Sequence, residues 1–284
     1  MSRILRSVIA GIVLSLSAIS CAMAGQSVVV TLPVFGLLVT QLSADAAVTV
    51  LVKGHEDAHH VALTPKERLA LSRADLIVWA GAIEGGMDHV LSSTALRDRV
   101  LRLDQVVAGQ EGWNEEFAAA PGQQHFWLDP SLIRHVTAAL ADGLDLPLRD
   151  EVALDLVQLD QQITDALAPY AGRGVVTLHD GLGRFLKRYG LVVLADETHE
   201  HEAGMSAADM GHMRHALIDH PGSCLVASYE VPENTLKVLM AGTGATKETT
   251  AVRFDFVGAR YDSYRHMMMS LTDDLVRCFS PDGP

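Results

Sequence analysis

Residues 148–179, LRDEVALDLVQLDQQITDALAPYAGRGVVTLH, decide how this chain is built. Val152, Leu156, Leu159, Ile163 and Leu167 recur at four- and three-residue spacing, which places them on one face of a helix. The periodicity predicts a helix over 148–170, the longest uninterrupted one in the chain. Directly after it, 174–178 (GVVTL) reads as a strand that ends on His179. A strand–helix alternation starts afresh there, and the same alternation precedes the long helix. Strands are predicted at 27–32, 47–52, 75–80 and 100–103 before it, and at 174–178, 191–195, 224–228 and 249–255 after it. Helices are predicted at 35–42, from Pro65 with Thr64 as N-cap, at 84–91 and at 131–144. In the second half they are expected at 182–189, up to about 218, at 232–241 and at 261–279, while 104–124 reads as a loop. Short β-branched runs alternating with helices imply parallel sheets covered by helices. The expected fold class is therefore α/β, two βα lobes with parallel sheets joined by a single long rigid helix. Its parts would be a leader at 1–24, an N-terminal lobe at 25–147, the linking helix at 148–170 and a C-terminal lobe at 171–284. Ligands in such folds bind beyond the carboxyl ends of the strands, which here means the cleft between the lobes.

The leader reads as an export signal. Arg3 and Arg6 precede an apolar run at 8–20, too short to span a bilayer comfortably, and Ala22-Met23-Ala24 offers an A-x-A cleavage site. A lipoprotein acylated at Cys21 is the competing reading, but Ala18-Ile19-Ser20 is a poor lead-in for it. Cleavage after Ala24 and a periplasmic location are expected. Removing residues 1–24 takes away two Arg and no acid, so the formal net charge moves from −13 to −15. A surface this acidic argues against nucleic acid and anionic lipid and is compatible with cations. Cys224 and Cys278 remain after cleavage. In an oxidising compartment, without CxxC spacing, they read as a disulfide from a late strand to the C-terminal helix. Such a bridge contributes roughly 3–4 kcal/mol in the chain-entropy description.

Four residues lie at or just after predicted strand ends. His59 follows the strand at 47–52, His125 follows the loop after the fourth strand, His179 ends the strand at 174–178, and Asp255 ends the last strand. Three neutral imidazoles and one carboxylate suit tetrahedral Zn²⁺. A lone histidine at a strand end is more often a hydrogen-bonded loop residue, and Asp255 could equally cap a helix or pair with a cation. Three histidines at equivalent topological positions favour a shared site. HFWLDP (125–130) adds a rigid helix start, with Pro130 at the first helical position behind the second histidine.

At these residues the chain resembles the zinc/manganese-type solute-binding proteins of ABC importers, in the zinc-binding branch of ZnuA-like and AztC-like members. DAHHVALTPKERLALSRADLIVWAG (57–81), HFWLDP and TLHDGLGRFLKRYGL (177–191) carry the resemblance, which extends over essentially the whole mature chain. It implies His59, His125 and His179 as metal ligands and places Asp255 at the late acidic position that completes the site in some members. Where manganese-binding relatives have Glu at the third position this chain has His179, which favours zinc as the bound metal. It also implies a bridge between Cys224 and Cys278. Ala58 replaces the usual Pro before the first ligand, and His60 offers a neighbouring imidazole. The long His-rich loop of many zinc-branch members is absent, since 110–124 is short and has no His. THEHE (198–202) places His199 and His201 where they form either an auxiliary metal loop or a solvated polar loop. His212, His215 and His220 read as surface residues, Glu230 as structural, and Phe126 and Trp127 as packing around the ligand loop.

The function expected is a periplasmic high-affinity Zn²⁺-binding protein, not an enzyme, that delivers zinc to an inner-membrane ABC permease with its ATPase. No nucleic-acid partner and a monomeric state are expected, and the sequence leaves open whether a periplasmic zinc metallochaperone loads the protein. The alternative is a zinc hydrolase with three His ligands and Asp255 or Glu230 as base. No H-E-x-x-H motif supports it. A closed four-ligand shell suits capture, whereas catalytic zinc keeps one position open for water.

Overall fold

The computed structural model describes residues 25–53, 63–81, 83–84, 87–111, 113, 124–179, 181–196, 206–243 and 251–280. Two four-stranded sheets organise them. The first contains β1 (Ser27–Val30), β2 (Ala47–Val50), β3 (Leu76–Trp79) and β4 (Val100–Arg102) in the order β2-β1-β3-β4. The second contains β5 (Gly174–Leu178), β6 (Val192–Asp196), β7 (Cys224–Ser228) and β8 (Ala251–Phe254) in the order β6-β5-β7-β8. Every pairing is parallel. β3 is buried at all four positions and β7 at its first four, as strands covered on both faces must be. Each sheet changes strand direction of travel at its middle, between β1 and β3 and between β5 and β7, which is where α/β sheets open a crevice. β5 and β6 slip register between Val175 and Val176. Gly174 sits beside the slip, where a Cβ would meet the Leu194 side chain at 2.3 Å.

Helices α1 (Pro33–Leu42), α2 (Pro65–Arg73), α3 (Asp88–Leu91), α4 (Leu103–Val107) and α5 (Pro130–Gly143) accompany the first sheet. Thr64 caps α2 through a reciprocal box: its hydroxyl accepts from Glu67 N–H, and the Glu67 carboxylate accepts from Thr64 N–H at 2.7 Å. That N–H holds the Glu67 carboxyl below its usual range. α6 (Asp150–Leu167) continues as a short 3-10 turn, Ala168–Tyr170, and buries Val152, Leu156, Leu159, Ile163 and Leu167, the face read from the periodicity. α7 (Gly183–Arg188), α8 (Ala207–Asp219), α9 (Glu233–Met240) and α10 (Tyr264–Phe279) accompany the second sheet. Among the described residues, no helix is long and apolar enough to cross a membrane.

Three expectations need correction. Residues 104–124 are not a loop throughout, because Leu103 and Val107 are buried and anchor α4. The helix expected at 84–91 shrinks to Asp88–Leu91. Its first residue, Glu84, instead turns its carboxyl inward, where it accepts from Ala80 N–H at 3.1 Å. The closing helix starts at Tyr264 rather than 261, because Ser263 caps it by accepting from His266 N–H.

The lobes meet over a continuous apolar core that includes Phe35, Phe126, Trp127, Phe185, Phe254, Phe256 and Tyr264. Trp127 Nε1–H donates to the Phe256 carbonyl at 2.7 Å, and the Tyr264 hydroxyl donates to the Trp127 carbonyl at 2.8 Å. Val34 N–H donates to the Val257 carbonyl at 2.8 Å. Cys224 and Cys278 form the expected disulfide, with Cα atoms 6.0 Å apart and 54 residues of separation. Closing a loop of that length contributes about 4 kcal/mol in the chain-entropy description.

Candidate metal centre

His125 comes from the N-terminal lobe. It precedes the 3-10 turn Phe126–Leu128, whose three side chains are buried and which leads into α5 through the N-cap Asp129 and Pro130 at the first helical position. The Asp129 carboxylate accepts from both Ser131 N–H and the Ser131 hydroxyl, so the segment behind His125 has little freedom. His125 is itself 3 % exposed, with its ring 4.8 Å from that of Trp127.

His179 comes from the other lobe, directly after β5 and at the point where the second sheet reverses its strand order. Its carbonyl accepts from the Thr177 hydroxyl and from Gly181 N–H, both at 2.8 Å, which turns the chain sharply. The imidazole lies against Phe256, with ring centroids 4.2 Å apart.

The two histidines meet at their Nε2 atoms, 3.1 Å apart, with the rings nearly perpendicular at 83°. Two nitrogens bound to one tetrahedral Zn²⁺ at roughly 2.0–2.1 Å stand roughly 3.3 Å apart, so the pair has the spacing of two ligands sharing a metal. The same distance accommodates an N–H···N hydrogen bond between opposite tautomers. Gly181 makes the approach feasible. A Cβ there would stand 2.8 Å from His179 Cδ2, 2.9 Å from Phe256 Cδ1 and 3.2 Å from His125 Cδ2.

Asp255 follows β8 and is 6 % exposed. Its carboxylate accepts from Val257 and Gly258 N–H at Oδ1, both at 3.1 Å, and from Arg260 N–H at Oδ2 at 2.8 Å. These bonds hold the turn that enters α10, and they occupy three of the roughly four acceptor positions a carboxylate offers. Gly258 has φ +86° within that turn, and a Cβ there would press on Val34. Among the described residues, no group of three or more His, Cys, Asp or Glu side chains is placed to hold a metal ion. His59, His60, His199 and His201 lie outside the described residues. The structure thus brings His125 and His179 together and places Asp255 one residue from Phe256, whose ring packs on His179.

Of the remaining candidates, His212, His215, His220 and Glu230 are exposed, and Phe126 and Trp127 are packing residues buried to within 1 %. Gly181 and Phe256 shape the pair and were not singled out as site residues in the sequence. The one signal available was their position directly after the strands that carry His179 and Asp255.

A charged layer lies behind the pair. Asp129 faces Arg184 at 4.0 Å and Arg188 at 3.4 Å, both from α7. Arg188 also forks onto Asp160 of α6, which accepts from the Tyr189 hydroxyl at 2.8 Å. Burial lowers the Arg184 guanidinium from its ordinary value, opposed by Asp129. Burial would raise Asp160, but the hydrogen bonds from Arg188 and Tyr189 outweigh it and hold the carboxyl below its usual range.

The fold agrees with what the chain is similar to. The family described as zinc-uptake complex component A, periplasmic (ZnuA), matches at residues 28–146 and 148–278. The chain belongs to that family and is a zinc/manganese-type solute-binding protein of ABC importers. A putative metal-binding protein of Thermotoga maritima is 28% identical over 198 residues, covering 64% of this chain and 68% of that protein. The high-affinity zinc uptake system protein ZnuA of Paracoccus denitrificans is 23% identical over 208 residues, covering 58% of this chain and 64% of that protein. A crystal structure of ZnuA superposes with a TM-score of 0.72 at 18% identity, over 89% of this chain and 98% of that one. The periplasmic zinc-binding protein TroA of Treponema pallidum gives 0.71 at 22% identity, over 90% and 99%. The solute-binding protein FpvC of Pseudomonas aeruginosa in complex with Mn²⁺ gives 0.70 at 14% identity, over 91% and 100%. At these identities the structural likeness establishes the two-lobed fold.

Proposed function

We propose that this chain is a periplasmic Zn²⁺-binding protein that captures the ion in the interlobe cleft and delivers it to an ABC permease with its ATPase. The leader would be cleaved after Ala24, leaving lobes at 25–147 and 171–284 about a linking helix at 148–170. The observation that carries the reading is the His125–His179 pair, a buried and a half-buried imidazole from different lobes with Nε2 atoms 3.1 Å apart. His59 is the third ligand in this reading and Asp255 the fourth, by way of its remaining acceptor position. Zinc is preferred to manganese because imidazole suits the borderline-soft ion, whereas Mn²⁺ favours carboxylate oxygens. The chemistry of this chain's own groups is binding. Neutral imidazoles donate lone pairs, burial excludes water, and affinity falls toward acid pH as the imidazoles take up protons.

A competition titration of chelator-stripped, leader-free protein with Zn²⁺ and Mn²⁺ tests this. One tight zinc equivalent is expected, with the affinity lowered on the order of 100-fold or more by His59→Ala, His125→Ala or His179→Ala. Asp255→Ala is expected to weaken it less. Negligible zinc binding by the parent protein would overturn the reading, and tighter Mn²⁺ binding would reassign the metal.

A further inference from the structure

The two imidazoles belong to segments that must stay in register although they come from different lobes. Asp129 lies four residues after His125 and Arg184 five residues after His179. Arg184 and Arg188 are spaced four apart on α7, so both project from one helix face toward Asp129. Asp129 is 4 % exposed at its side chain and Arg184 6 %, so this meeting is shielded from water and weakly screened by salt. Arg188 continues the chain of charge to Asp160 on α6, the helix that links the lobes. The Arg184 guanidinium also lies 5.2 Å over the Trp113 ring, which in turn packs edge-on against Phe126 beside His125.

We propose that Asp129 and buried Arg184, joined at the solvent edge by the more exposed Arg188, form an ionic latch that holds the histidine-bearing segments of the two lobes in register and thereby sets how tightly the cleft binds a divalent cation. None of the three would touch the ion. Each acts through the backbone of a segment that carries a ligand, so they are positioning residues. The inference rests on the metal-binding reading of the His125–His179 pair. Two requirements of the fold point the same way. A buried charge left without its partner is strongly unfavourable, so the segments cannot separate without breaking the cluster. An imidazole pair 3.1 Å apart tolerates little displacement before one nitrogen leaves the coordination sphere.

The test uses the full leader-free chain with Zn²⁺ in chelator competition and with Co²⁺ as a spectroscopic probe of the site. Asp129→Asn keeps an N-cap acceptor for α5 but removes the charge, which separates helix capping from the latch. It is expected to lower Zn²⁺ affinity roughly 10–100-fold, the range found for groups that orient metal ligands, and to shift the Co²⁺ ligand-field bands. Arg184→Met should do the same, and Arg184→Lys should recover part of the affinity by restoring the charge. If Arg184→Met does not fold, Asp129→Asn decides the matter alone. Affinity within about twofold of the parent and unchanged Co²⁺ bands in Asp129→Asn would overturn the latch. If His125→Ala and His179→Ala also leave the affinity unchanged, the metal-binding reading itself has failed. Loss with the histidine variants but not with Asp129→Asn overturns the latch and leaves the site intact.

Discussion

The two sheets share one strand order, yet they use the crevice at its centre differently. In the second lobe, β5 ends directly on His179, and the crevice presents an imidazole to the cleft. In the first lobe, the equivalent place beyond β1 and β3 holds Thr31 and the carboxyl of Glu84, both fully buried. Glu84 is pushed up to about 8, chiefly by burial, against the hydrogen bonds from Thr31 and Ala80 and with the help of nearby Asp104. Its Oε1 has no hydrogen-bond partner among the described residues. Among the described residues, the first lobe therefore fills this place with a buried acid and supplies His125 from a loop ahead of α5. One topology offers two equivalent crevices, and local side chains decide what each presents.

The covalent asymmetry gives the largest test of this contrast. The disulfide ties β7 to α10 in the second lobe only, so Cys224→Ser with Cys278→Ser should destabilise the protein by about 4 kcal/mol. The loss should appear in urea unfolding, with hydrogen exchange rising first in β5–β8. Equal loosening of both lobes would show that they unfold as one unit.

Glu84 gives the next. Its folded-state value is raised above the ordinary carboxyl value of 4.5, so its contribution is fully present below that pH and is lost as pH climbs toward about 8. Glu84→Gln keeps the site neutral at every pH. It should match the parent near pH 4 and exceed it by roughly 2–4 kcal/mol at pH 8, measured by urea unfolding across that range. A parent protein with no decline beyond that of Glu84→Gln would remove the neutral-acid account of the first crevice.

Gly181 gives the smallest. Gly181→Ala places a methyl group under both imidazoles and Phe256. Zinc affinity is expected to fall roughly 10-fold, with stability changed by only about 1 kcal/mol. A fall in stability without a fall in affinity would mean that the glycine serves the second lobe's packing and not the pair.

Much of this architecture was legible beforehand. Thr64-Pro65 with Glu67 announced a capped helix start, Pro130 the opening of another helix, and the spacing from Val152 to Leu167 the buried face of the linking helix, because these signals are local and each rests on residues a few positions apart. The two cysteines could be paired on compartment chemistry alone. Short elements fared worse. α4 has five residues and is stabilised by burying Leu103 and Val107, while Glu84 left its expected helix for a buried contact with Ala80.

His125 and His179 were each visible as candidates at the ends of elements, but no local pattern measures the distance between residues 54 positions apart on different lobes. Their approach to 3.1 Å depends on the interlobe bonds of Trp127 and Tyr264 and on the absence of a side chain at Gly181. The three backbone bonds that seat Asp255, and the meeting of Asp129 with Arg184 and Arg188, likewise exist only once the lobes are packed. Sequence periodicity and capping therefore determined the elements, and strand ends nominated the two histidines, since hydrophobic burial and helix-end hydrogen bonding act over short stretches. Convergence of His125 and His179 was decided by tertiary packing, because it is set by long-range contacts that local sequence does not encode.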